Sequence, residues 1–376
     1  MDKVITEILE LIESNGFEAY VVGGYVRDFL LQISSTDVDI CTNAKVVDLM
    51  SILADYQPVS GNYGAVKLFY KGYKIDLTTY RKDIKYEGNR RNLEVVYVNN
   101  LVTDLERRDF TCNTLCMSRS GQIIDLLDGK QDIEDKIIRC VGDIEKKMSE
   151  DPLRILRAIR LATCLNFKIE QNLYDFIKNN KQLVANLSRN RIKEELDKIL
   201  INKNVNKGLD YLRRLGLLEV IGIDFTKIVY VFDLCGMYSQ LTLLREFPFS
   251  KEEREHIKDI QKVCASGKID KMTLFNYGLY VCSVAGTIMG ISKEEIAKMD
   301  KNMEIKSIKD IQISSDEICD ILHIEPSKAI GDVYSILKDL ILDGQLINDN
   351  EQLKKHLEIQ GKKWLNEGKF KKNFTF

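Results

Sequence analysis

Over roughly the first 140 residues the apolar positions switch repeatedly between a 3.6-residue and a two-residue spacing; after about residue 144 the helical spacing dominates. Residues 3–15 predict an amphipathic helix. Residues 18–24 read as a buried strand that ends at the glycine pair Gly23-Gly24, and residues 25–32 resume helical spacing. A short alternating strand follows at 37–42, then a helix at 45–54. Strands at 65–70 and 74–79 flank Lys71-Gly72-Tyr73, a hairpin signal, and 93–98 predicts a further strand. Beyond residue 144 the spacing predicts helices at 151–164, 171–178, 191–200, 208–215, 251–264, 271–289, 293–299, 327–343 and 350–358. No fixed-period repeat interrupts this order. The pattern implies an α+β chain, with a mixed-sheet α/β head followed by an elongated all-helical remainder.

Composition narrows the classes. With 44% hydrophobic and 30% charged residues the chain sits in the ordinary globular range, and 4 prolines and 22 glycines argue against long disordered linkers. No run of about 18 apolar residues stands out, so no membrane span is expected. Met1-Asp2-Lys3-Val4 opens into helical spacing without a signal-peptide core, so the cytosol is the expected compartment. The nine cysteines include no C-x-x-C pair, and most read as small core residues. Three dispersed histidines, His256, His323 and His356, disfavour zinc or iron catalysis. The net charge is −2, so any nucleic-acid contact must come from local clusters. Residues 181–214 hold nine Lys/Arg against four Asp/Glu, and from Lys354 to Lys372 seven lysines face two glutamates. Either cluster alone reads more simply as a solvated helix face.

Candidate chemistry begins at Asp37-Val38-Asp39. Side chains alternate faces along a strand, so the two carboxylates project from one face. Their mutual repulsion calls for a hard cation, and oxygen-only ligation suits Mg²⁺. An isolated D-x-D is more often an exposed edge strand, but Gly23-Gly24-Tyr25-Val26-Arg27-Asp28 lies shortly upstream. Glycines at a strand end leading into a helix let backbone N–H groups approach phosphate, and Arg27 can grip its oxygens. A third acid, Asp76, lies on a neighbouring predicted strand, and reads equally as a further ligand or a half-exposed strand residue.

These residues resemble the nucleotidyltransferase superfamily in its class II CCA-adding enzyme and bacterial poly(A) polymerase branch. The glycine turn with Asp37 and Asp39 is similar to that branch's signature. Arg107-Arg108-Asp109-Phe110-Thr111-Cys112-Asn113 resembles its R-R-D-F-T-x-N element. Glu150-Asp151-Pro152-Leu153-Arg154 resembles its E-D-x-x-R element, and the segment from Ser188 through Arg191 to Glu195 a later helical one. More weakly, Asp310, Pro326, Gly331 and Asn348 resemble the tail of the shorter bacterial tRNA nucleotidyltransferases, so the likeness covers essentially the whole chain. Two departures stand out. Arg90-Arg91-Asn92 replaces the frequent R-R-P, and Asn113-Thr114-Leu115 replaces N-A-L or N-A-M.

The resemblance implies a catalytic head at 1–140, a base-recognising neck at 141–205, a body at 206–290 and a tRNA-binding tail at 291–376. It implies addition of C, C and A to the 3′ end of tRNA from CTP and ATP, with Mg²⁺ on Asp37 and Asp39 and no obligate protein partner. The A-adding, CC-adding and poly(A)-synthesising relatives are the nearest rivals, and a catalytically silent RNA-binding protein is a more distant one. Nucleotide-binding residues would be Gly24, Arg27, Arg108, Asp151, Arg154, Arg157 and Arg160, with Asp109 beside Arg108 at the ribose. Asp151 and Arg154, three apart on a helix, are neighbours on its surface. An acceptor beside a donor can read both cytosine and adenine, while Glu150 would orient Arg154. The loop at 81–91, with Tyr86 and Glu87, has the length that accompanies terminal A addition. Arg189, Arg191, Lys193 and the C-terminal lysines are candidate RNA contacts.

Overall fold

The computed structural model describes residues 2–60, 64–85 and 94–366. Residues 86–91 of the expected loop, the Arg90-Arg91-Asn92 departure, and Lys369, Lys371 and Lys372 lie outside them. Two compact units emerge: residues 1–224 with 243–248, and residues 225–242 with 249–376.

The first unit begins with helix α1 (Lys3–Ser14), capped by the Asp2 carboxylate, which accepts from the Val4 amide. Strand β1 (Ala19–Val22), helix α2 (Gly24–Leu30), strand β2 (Asp37–Thr42) and helix α3 (Val46–Ile52) follow. Next come β3 (Val59–Ser60), β4 (Ala65–Tyr70), β5 (Tyr73–Thr79), β6 (Arg81–Lys85), β7 (Glu94–Tyr97), α4 (Leu101–Glu106), β8 (Cys116–Met117) and β9 (Ile123–Ile124). Seven of these strands form one mixed sheet in the order β3-β4-β5-β2-β1-β8-β9, while β6 and β7 pair separately. Within the sheet β2 and β5 run parallel and the other pairs are antiparallel.

Alternation decides the sheet's two faces. Val38, Ile40, Val66, Leu68, Ile75 and Leu77 are buried on one face, where α1 and α3 supply the cover. On the opposite face Asp37 and Asp39 of β2 are exposed. Half of that face is closed by a cluster of Val22, Cys41, Tyr80, Leu105 and Cys116. The rest is open.

The unit continues through α5 (Gly129–Glu134), β10 (Ile137–Ile138), α6 (Ile144–Glu150), α7 (Leu153–Cys164), β11 (Lys168–Ile169), α8 (Gln171–Asn179), α9 (Arg189–Leu200), α10 (Val205–Arg214) and α11 (Leu217–Ile221). Helix α7 is the hub: Ile155, Leu156, Ala158, Ile159, Leu161 and Ala162 are all buried, and α9 and α10 pack against it. Its apolar residues are buried while Arg157 and Arg160 stay half-buried, the amphipathic division that the spacing predicts.

The second unit is built from α12 (Leu234–Ser239), α13 (Lys251–Ser266), α14 (Lys271–Met289), α15 (Lys293–Lys301), α16 (Ser315–Leu322), α17 (Lys328–Leu342) and α18 (Asn350–Asn366). Its C-terminal half closes on a core that includes Ile318, Val333, Leu337, Ile341, Leu353 and Leu357. Helix α14 bears on the expectation that no segment spans a membrane. By length and composition alone it is apolar enough to cross a membrane, with a mean hydropathy of 1.2, because its Thr, Ser, Tyr and Gly residues barely lower the average. Gly278 breaks it with φ 76° and ψ 168°, so neither part approaches the roughly 20 residues that a spanning helix needs.

Candidate functional site

The β1–α2 junction is a turn that only glycine fits comfortably. Gly23 has φ 79° and ψ −136°, a region that side-chain-bearing residues avoid. A Cβ there would sit 3.3 Å from Asp39 Oδ2 and 3.4 Å from Arg108 Nη1, so the bare backbone is what lets this carboxylate and this guanidinium converge.

Around that turn opens a cleft of 420 Å³, within the usual range for small-molecule sites. It is lined by Gly23, Gly24, Arg27, Asp39, Arg81, Asp83, Arg107, Arg108, Asp109, Asn113, Arg154, Arg157, Arg160 and Leu161. Seven arginines against three carboxylates give it an excess of positive charge, which suits a polyanion rather than an apolar ligand.

The arginines are held in place by carboxylates and carbonyls behind them. Arg27 donates to Asp28 Oδ1 at 2.6 Å and to Asn113 Oδ1 at 2.6 Å. Asn113 Nδ2 in turn donates to Asp109 Oδ1. Asp109 Oδ2 accepts from Arg157 at 2.6 Å. Burial alone would raise the Asp109 pKa, but Arg157, Asn113 and the Arg154 charge overcome it and pull the carboxyl down to about 2. Asp104, fully buried, pairs with Arg107 at 2.8 Å and with Arg108 at 3.3 Å. Burial works against the Arg108 charge, yet Asp104 and Asp39 more than offset it and raise its pKa. Arg108 Nε has no hydrogen-bond partner among the described residues.

Arg154 donates to the Lys147 carbonyl at 2.8 Å and lies 3.6 Å from Glu150, so Glu150 stands where it can orient Arg154. The Lys147 ammonium donates to the carbonyls of Glu106 and Arg108. Burial, aided by the Arg154 charge, lowers its pKa to about 8. Arg160 pairs with buried Glu195 of α9 at 2.6 Å.

The acidic side of the site is the open face of β2. Asp37 and Asp39 are exposed while Val38 and Ile40 between and beyond them are buried, so both carboxylates project from one face. Asp39 pairs in register with Asp76, and Asp37 with Lys74, whose ammonium lies 3.5 Å from the Asp37 carboxylate. Asp39 is open to solvent along the cleft yet has protein on most sides. That desolvation raises its pKa; Arg108 opposes the shift, and Asp76 and Asp37 add to it. A neighbouring cation would remove the penalty. Oδ1 of Asp76 is buried without a hydrogen-bond partner among the described residues, a second mark of an unmet need for positive charge. No group of three or more His, Cys, Asp or Glu among the described residues is gathered into a ready metal cage. A pair of carboxylates completed by phosphate and water oxygens is nonetheless the usual donor set for Mg²⁺.

Residues 19–139 match the model of the poly A polymerase head domain. Residues 166–224 match a probable RNA- and SrmB-binding site of polymerase A, and residues 226–367 a tRNA nucleotidyltransferase domain 2. The CCA-adding enzyme of Ligilactobacillus salivarius is 31% identical, over 92% of this chain and 93% of the relative. The chain belongs to the CCA-adding enzyme family. Among other members, the CCA-adding enzyme of Staphylococcus haemolyticus is 29% identical over 96% of each chain. The crystal structure of the Bacillus stearothermophilus CCA-adding enzyme in complex with CTP superposes with a TM-score of 0.85 at 23% identity, covering 98% of this chain and all of that one. It shares the α+β fold with its mixed N-terminal sheet.

In this CCA-adding enzyme family member, the cleft brings together Gly24, Arg27, Asp39, Arg108, Arg154, Arg157 and Arg160 from among the residues singled out in the sequence. Two others stand apart. Asp37 lies on the open sheet face beside the cleft, and Asp151 is buried, its Oδ1 accepting from Arg191 at 2.8 Å. Arg191, a candidate RNA contact, is thus half of an internal ion pair. Arg189 donates to the Ile221 carbonyl, and Lys193 pairs with Asp197. The sequence assigned no site role to Arg81, Asp83, Arg107, Asn113 or Lys147. Arg107 and Asn113 lay within a quoted motif, and Arg81 and Asp83 within the 81–91 segment, which was singled out for its length and not for these side chains. Nothing in local spacing distinguishes Lys147 from its neighbour Lys146.

Proposed function

We propose that the chain adds C, C and A to the 3′ end of tRNA, without a nucleic-acid template, from CTP and ATP. The observation that carries this reading is the convergence of the exposed Asp37/Asp39 face with the arginine-lined cleft at the Gly23 turn, within a chain of this family. Relatives solved in complex with CTP, with ATP and with tRNA support the choice of substrates.

The RNA 3′-hydroxyl oxygen forms a bond to the α-phosphorus of the nucleotide, and the bond from that phosphorus to the pyrophosphate oxygen breaks. Mg²⁺, when held by Asp37 and Asp39, lowers the hydroxyl pKa and stabilises charge on the leaving oxygen. The chain's remaining work is positioning and electrostatics, which dominate phosphoryl transfer. Gly24 lets the α2 N-terminus approach phosphate, and Arg27, Arg157 and Arg160 hold its oxygens. Arg108 and Asp109 hold the ribose. Asp76, beside Asp39 on the open face, stands as a further ligand.

Arg154 donates to base acceptors, with Glu150 fixing its orientation. Asp151 accepts from the exocyclic amine common to cytosine and adenine. Because Asp151 is buried against Arg191, that contact requires the start of α7 to yield toward the bound base. In this reading residues 1–140 act as catalytic head, 141–205 as base-recognising neck, 206–290 as body and 291–376 as tRNA-binding tail. The reaction belongs in the cytosol, where tRNA and both nucleotides are found.

Incubating the protein with tRNA lacking its last three nucleotides and Mg²⁺ tests the proposal. Sequencing the products is expected to show two added nucleotides with CTP alone and three with CTP and ATP together. A long adenosine ladder would instead mark a poly(A)-synthesising relative, and arrest at two with both nucleotides a CC-adding one.

A further inference from the structure

The sheet that carries the carboxylates is asymmetric about β2. On one flank lie β1, β8 and β9, with the Gly23 turn at the end of β1 and the cleft around it reaching Asp39 of β2. On the other lie β5, β4 and β3. Register places two rows across this open face. One runs Val59, Lys67, Asp76, Asp39; the other runs Phe69, Lys74, Asp37. Phe69 is 78% exposed and Val59 65% exposed, and Lys67 between them is exposed as well. A large aromatic standing open on a strand is unusual, since strand aromatics ordinarily pack against a neighbouring layer. Here it shares a face with the carboxylates.

In-line displacement at phosphorus keeps attacking and leaving oxygens on opposite sides of the reacting centre. The cleft, which no residue of β3, β4 or β5 lines, takes the triphosphate, so the attacking hydroxyl enters over the β5 and β4 flank. We infer that Phe69 and Lys67 form the landing surface for the RNA 3′ end, with an unpaired base stacked on the Phe69 ring and Lys67 at the backbone phosphate. This rests on the reading of the chain as an enzyme that extends RNA. Sheets that bind single strands use the same combination, an exposed ring as stacking platform with cations along the backbone. Two strand spacings separate β4 from β2, roughly 10 Å. At about 3.4 Å per stacked nucleotide, the base on Phe69 is the second or third from the reacting end.

The test compares wild type, Phe69→Ala, Phe69→Trp and Lys67→Ala on tRNA lacking its 3′ end. Phe69→Ala is expected to raise KM for tRNA about 5- to 100-fold. It leaves KM for CTP within about twofold, and Phe69→Trp restores the wild-type value. Lys67→Ala lowers the salt slope of tRNA binding by about one. A second measurement needs no turnover: 2-aminopurine placed second or third from the RNA 3′ end is quenched on binding wild type and Phe69→Trp, but not Phe69→Ala. Unchanged KM for tRNA and unchanged quenching in Phe69→Ala overturn the inference. So does a variant that loses self-association in sedimentation while keeping its RNA affinity, which would assign the face to a second copy of the chain. If wild type extends no RNA the functional reading fails, and the quenching still judges Phe69.

Discussion

Asp109 sits at the centre of the buried polar network, between Arg157, Asn113 and the backbone, and its ionised form is held by charges that the unfolded chain lacks. Its carboxyl falls from an ordinary 3.8 to about 2 on folding. A depressed carboxylate stabilises the fold above its unfolded pKa and loses that contribution as pH falls through the folded one. Asp109 therefore contributes on the order of 2 kcal/mol at neutral pH, lost progressively as pH falls from about 5 toward about 1. Urea unfolding of wild type and Asp109→Asn, run side by side, is expected to show a gap that is constant from pH 7 to about 5 and narrows below pH 4. A gap independent of pH would mean that the carboxylate's charge is not what matters there. The same residue shows the limits of reading a chain locally. Its motif was plain in the sequence, but its partner Arg157 lies 48 positions away, and only the packing of α7 on the head shows that the two form one unit.

At the scale of elements, α9 braces α7. Arg160–Glu195 joins these helices and Arg191–Asp151 ties α9 to the link just before α7, so two ion pairs fix the helix whose arginines face the cleft. Glu195 is buried, and removing it leaves Arg160 facing α9 without a countercharge. Breaking a buried pair from one side costs roughly 3 kcal/mol, so Glu195→Ala is expected to lower the urea midpoint clearly. An unaltered midpoint would show that α9 does not brace α7 through this pair. The helices themselves were legible: 271–289 and 293–299 agree closely with α14 and α15. Others escaped, for physical reasons. α16 is short and was passed over despite Ser314 and Glu317 forming a capping box at its start. α18 continues to Asn366, well past the expected end at 358, because Gly361 tolerates helix where it packs against Leu322. The β2 and β5 strands were legible from alternation, whereas the seven-strand order, which brings Asp76 beside Asp39, depends on pairing that no local pattern encodes.

Considered whole, the molecule comprises two compact units, and all the chemistry derived above lies in the first. The near-neutral net charge of −2 conceals a local separation of charge: a cleft rich in arginine and a sheet face bearing carboxylates lie side by side. Both were foreshadowed by motifs, because a glycine turn and a D-x-D spacing impose their geometry within a few residues. Of the ion pairs that orient the cleft, Glu150–Arg154 was foreshadowed by its helical spacing, whereas Asp109–Arg157 and Arg160–Glu195 were not, because each joins distant segments. The account stands or falls on the carboxylate pair. Its most direct test is the single-turnover rate of CMP addition to tRNA lacking its 3′ end, with Mg²⁺, by wild type, Asp37→Ala and Asp39→Ala, alongside tRNA affinity. The expected result is addition at or near background in both variants with tRNA affinity preserved within a few-fold. Addition at a rate near wild type by either variant would contradict the assignment.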